Sequence, residues 1–109
     1  MDQETYLKFQ QDQEFERAKL LDSLQSLHQI IEKDNKQKEK LIQLYESQND
    51  LVNNIKGQNK YNNPRLNAKY ELENTKLIEI KEKLDICMEN NNKLQEKLEN
   101  LQNEITNLE

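Results

Sequence analysis

Tryptophan is absent from this 109-residue chain, and cysteine, histidine, glycine and proline occur once each. Each scarcity excludes something. One cysteine, Cys87, allows no internal disulfide framework and points to a reducing compartment. One histidine, His28, leaves no His–Cys cluster of metal-ligand spacing, so no metal or other cofactor is expected. No phosphate-cradling glycine loop can be built from one glycine. Acid pairs are plentiful, but a general acid needs a pocket that raises its pKa, which a narrow coiled coil lacks. The expectation is therefore no catalytic residues and no small-molecule substrate.

Apolar residues are also few. They make up 33% of the chain against 34% charged, and the mean hydropathy is -1.19. No apolar run approaches the length of a membrane span. The opening "MDQETYLKFQ" carries neither a signal-peptide core nor a myristoylation glycine. A cytoplasmic protein with no direct membrane insertion is expected. So little apolar material either stays disordered or gathers into a narrow helical stripe. The shortage of glycine and proline favours the stripe.

The net charge of -5 argues against nucleic acid, which selects a basic face. Lysine outnumbers arginine by 14 to 2, leaving only Arg17 and Arg65 for bidentate phosphate contacts. The stretch "NAKYELENTK" before Leu77 is not the basic region that a zipper transcription factor needs.

What is present is heptad order. With Leu77 at a, the a positions are Leu77, Leu84, Asn91, Leu98 and Ile105. The d positions are Ile80, Cys87, Leu94, Leu101 and Leu108. This alternation of three and four is the period of a left-handed coiled coil. Asn91 is the one asparagine of "MENNNKLQ" that falls in the seam. A single buried Asn at a costs stability and fixes register and strand number. Asn and Gln make up about a quarter of the chain, however, so chance placement in the seam is equally open.

The earlier half is less regular. With Leu24 at a, Leu20, Leu24, Leu27, Ile31, Leu41, Tyr45, Val52 and Ile55 form a second interface, interrupted by Asp34, Lys38 and Gln48. Ile30, Leu44 and Leu51 add an apolar edge at g, and so wide a stripe suits a bundle of three or more helices. Phe9 and Phe15 lie off the seam. His28 falls at e, a surface position.

"GQNKYNNP" is the one break. Gly57 suits the left-handed residue past a helix end, Asn63 an N-cap and Pro64 the first helical position. The sequence predicts an all-α, elongated coiled coil of two long helices, 3–56 and 64–108, with a linker at 57–63. The whole forms one unit over 1–109, and a helical hairpin is favoured over splayed helices.

The expected partners are other helical chains, with a hetero-oligomer favoured over a parallel homodimer. In such a homodimer Lys76 would face Lys81 and Glu104 would face Glu109, with no opposite-charge pair to offset them.

Two stretches resemble the KxDL-motif family. "LIQLYESQNDLV" (41–52) supplies Tyr45, Glu46, Asn49 and Asp50, and "LIEIKEKLD" (77–85) supplies Leu77, Glu79, Lys81, Leu84 and Asp85. Lys83 stands where the motif has Asp. "LQEKLENL" (94–101) is similar to snapin, a subunit of the same assemblies. The resemblance implies a helical subunit of hetero-oligomeric complexes that position lysosomes and build lysosome-related organelles. Its address would be the cytosolic face of lysosomal or endosomal membranes. "EKDNKQKE" (32–39) is similar to tubulin-binding cofactor A, which implies instead a helical chaperone. A generic coiled-coil scaffold or tether is the third reading.

Overall fold

The structure, a computed structural model, describes residues 2–108; Glu109 lies outside them. The chain is all-α, with two helices, α1 (Gln3–Gln58) and α2 (Pro64–Leu108). Asp2 caps α1. Its Oδ1 accepts from the Thr5 backbone N–H at 2.8 Å, and its own carbonyl accepts from Tyr6 N–H at 3.0 Å. The Thr5 backbone N–H, helped by the Thr5 side chain, holds the Asp2 carboxyl below its ordinary value.

The break is shorter than its sequence suggests. Gly57 does not end α1. The helix continues to Gln58, and Gly57 has no positive φ. The left-handed residue is Asn62, with φ 52°. Asparagine tolerates that region because its short polar side chain can bond locally. Here Asn62 Oδ1 accepts from the Asn67 amide at 2.8 Å. Asn59 reaches both ways, donating to Asn67 Oδ1 and accepting from the Asn63 backbone N–H at 2.7 Å. Asn63 then caps α2: its Oδ1 accepts from Arg65 N–H at 2.9 Å, its carbonyl from Asn67 N–H at 2.9 Å. Pro64, with no N–H to leave unpaired, is the first helical residue. Four asparagines thus make the turn that glycine was expected to make.

A methyl group added at Gly57 would meet nothing within 4 Å. Gly57→Ala therefore stabilises the protein by about 0.5–1 kcal/mol through helix propensity. Asn62→Ala acts oppositely, costing about 1–2 kcal/mol, whereas Asn62→Gly is tolerated. Thermal melts of the three variants check this. A lower Tm for Gly57→Ala, or equal Tm for the two Asn62 variants, would contradict this assignment of the turn.

The sequence predicts one unit over 1–109. The structure divides into two compact units, one of residues 1–33 with 91–109 and one of residues 34–90. In the 34–90 unit, α1 turns back through 59–63 and α2 runs antiparallel to it, making a helical hairpin. Gln48 pairs with Glu73, which sets Leu41 level with Ile80 and Ile55 level with Leu66. In the other unit the segments of α1 and α2 lie side by side. There the Gln13 amide donates to the Leu108 carbonyl at 3.0 Å, satisfying an end-of-helix acceptor.

Candidate interaction surface

The seam residues of α2 are occupied from within the chain. In the 34–90 unit, Leu84 is buried and Leu77, Ile80 and Cys87 are half-buried. In the other unit, Asn91 and Ile105 are buried and Leu94, Leu98, Leu101 and Leu108 are half-buried. On α1, Ile31, Val52 and Ile55 are buried, and Leu20, Leu24, Leu27, Leu41 and Tyr45 are half-buried. The interrupting residues Asp34, Lys38 and Gln48 are half-buried too, so the stripe is shielded through its polar positions. Asn91 is 5% exposed, and no buried side-chain polar atom among the described residues lacks a hydrogen-bond partner.

Gln48 shows what a polar seam position can do. Its amide donates at 2.8 Å to both the backbone carbonyl and the carboxylate of Glu73, at the facing d position. Lys76 adds an ion pair to the same carboxylate at 3.2 Å. In the sequence Gln48 stands as an interruption of the seam, and Glu73 is not among the predicted seam residues. The signal was available, because carrying the α2 heptad back from Leu77 puts Glu73 at d. The Gln48 amide, and then Lys76, hold the Glu73 carboxyl below its ordinary value of 4.5. A depressed carboxylate contributes stability that is present above its unfolded pKa and lost as pH falls through the folded one. Glu73→Gln should therefore separate from the wild type in Tm at pH 7, and the gap should narrow below pH 4.5. A gap that stays constant from pH 7 to pH 3 would remove Glu73 from the acid response.

The family-like residues all fall in the 34–90 unit. Tyr45 and Asn49 are half-buried and Leu84 is buried, while Glu46, Asp50, Glu79, Lys81 and Asp85 are exposed. Lys81 pairs with Asp85 at 3.9 Å. The register places Leu41 of the first stretch level with Ile80 of the second.

The two edges of this hairpin differ. Lys56 and Asn67, both at e, line one small pocket with Asn59 and Tyr70, so the e edges of the two helices share a side. That side is partly closed: Asn35, Ile42 and Asn49 of α1 and Asn67 and Asn74 of α2 are half-buried, while Lys56, Lys81 and Met88 are exposed. The g side is open. Leu44 is 51% and Leu51 38% exposed: the apolar edge that the sequence places at g is not covered by the pairing of these two helices. The two helices cover the a and d positions and part of e, and every g position of this hairpin is exposed.

Exposed apolar side chains also mark the 1–33/91–109 unit. Phe9 and Phe15 are exposed, and Lys19 lies 5.3 Å from the Phe15 ring centroid, a cation–π distance. Leu27, Ile30 and Leu101 line an open groove of about 620 Å³ with Asp22, Lys97 and Glu104. His28 is exposed. Among the described residues, no three His, Cys, Asp or Glu side chains are grouped to hold a metal ion, and no helix is long and apolar enough to cross a membrane.

Fold and surface together define a two-helix coiled-coil protein whose seam is filled by its own chain. No family model matches the chain, and no curated protein or solved structure matches it.

Proposed function

We propose that this chain is a non-catalytic helical subunit of a hetero-oligomeric complex, binding other helical chains through the faces its own seam leaves open. One observation carries this reading. Among the described residues, thirteen large apolar side chains are exposed and only five apolar side chains are buried, none of them below 2% exposure. A chain that leaves this many apolar side chains outside its seam gains stability when another surface covers them.

The setting we favour is a KxDL-type complex on the cytosolic face of lysosomal or endosomal membranes, acting in organelle positioning or biogenesis. Its support is the likeness of 41–52 and 77–85 to that family, with both stretches in one structural unit. The seam filled from within favours a second reading, a self-contained chaperone-like bundle of the tubulin-cofactor kind. Melting separates the two. A subunit alone has a low Tm that rises with its partner, whereas a self-contained bundle melts cooperatively as a monomer at a Tm independent of concentration. Affinity purification from the native cells, read by mass spectrometry, then identifies the complex.

A further inference from the structure

The open side of the 34–90 hairpin has its own chemistry. Leu44 and Leu51 occupy g of α1, and Lys69, Lys76 and Lys83 occupy g of α2, the facing edge. Outside the lysines, at c of α2, lie Leu72 and Ile86, 58% and 61% exposed. No g position of this unit is acidic: Gln37 and Gln58 complete the row on α1, Asn90 that on α2. On the flanking c rows, Lys40 and Arg65 stand against one acid, Glu79. Lys76 already meets Glu73 but is half exposed, so it keeps hydrogen-bonding capacity outward. In a chain of net charge -5, this is an apolar face crossed by a basic row.

We infer that this face docks an amphipathic helix of a different chain, one whose apolar stripe is flanked by Asp and Glu. The inference rests on the subunit reading above and names the partner's chemistry. The apolar stripe of such a helix would cover Leu44, Leu51, Leu72 and Ile86, and its acids would meet Lys69, Lys76 and Lys83. The lysine stems themselves extend the apolar surface. A second copy of the chain fits poorly. Within the chain Lys76 and Lys69 already share Glu73, and a two-fold pairing of this face with itself brings the lysines no further acid but Glu79, so the basic row keeps a surplus of positive charge. The e side differs in charge: its exposed apolar side chains are Ile78 and Met88, and its exposed lysines, Lys56 and Lys81, stand among the acids Glu39, Glu46, Glu71 and Asp85 at b, so it presents no basic row.

A charge swap tests this on the full chain. The probes are two synthetic four-heptad helices, identical at a and d (Leu), with either Glu or Lys at e and g. Binding is read by fluorescence anisotropy in low salt. The wild type should bind the Glu helix at least tenfold more tightly than the Lys helix. Lys69→Glu/Lys83→Glu should reverse that order, and Leu44→Ser/Leu51→Ser should weaken the Glu helix at least tenfold. Circular dichroism checks that each variant keeps its helix content; both pairs of positions lie outside the buried seam. Equal binding of the two probes, or a preference that survives the lysine swap, would overturn the inference. So would a wild-type dimer in sedimentation that the leucine variant dissolves, because the face would then serve a second copy. The subunit reading fails separately, if native purification yields the chain alone.

Discussion

Replacing Ile55 by Ala destabilises the protein by about 2–4 kcal/mol, the cost of removing most of a buried branched side chain and leaving a cavity. Ile55 is 2% exposed, the most shielded apolar side chain among the described residues, and few others share its burden. A loss of that size is a large part of the free energy that holds a small domain folded. It appears as a fall in Tm of roughly 10 °C or more. Leu44→Ala, at a 51% exposed g position, is the control and costs well under 1 kcal/mol. Similar effects at the two positions would mean that the seam and the open edge are not distinguished as the fold distinguishes them.

Asn91→Leu moves stability the other way. The asparagine is buried at an a position, where an apolar side chain adds burial that the amide does not. Removing the amide also strands whatever polar group it serves, which offsets part of the gain. The net expectation is a rise of about 1 kcal/mol, several degrees in Tm, with looser register and partner choice. A lower Tm would show that the polar interactions of Asn91 outweigh the apolar volume, making it a stabilising member of the seam.

Sequence and structure agree on the all-α class and on the two helices, because a period of three and four apolar residues survives any amount of polar substitution elsewhere. The N-cap at Asn63 and the proline after it were legible for the same local reason. Gly57 was not. Glycine at a helix end permits a left-handed turn but does not require one, and the asparagine cluster at 59–67 offered a turn with more hydrogen bonds. Gln48 misled in another way. A polar residue in a heptad looks like a defect until its partner is known, and Glu73 lies on the other helix, 25 positions away. The exposure of Leu44 and Leu51 was hidden too. A wide apolar stripe records how many surfaces a helix meets, and a single chain supplies only one of them.

The central claim, that the two helices fill each other's seam within one chain, is most directly tested by a distance. Spin labels at Glu46 and Thr75, both exposed and level in the antiparallel register, report it in a Cys87→Ala background. With helix axes about 8–10 Å apart, the labels should lie below about 25 Å. The distance should persist when labelled protein is diluted with unlabelled chain. A continuous helix would hold them roughly 45 Å apart. That longer distance, or a short one that vanishes on dilution, would contradict the hairpin.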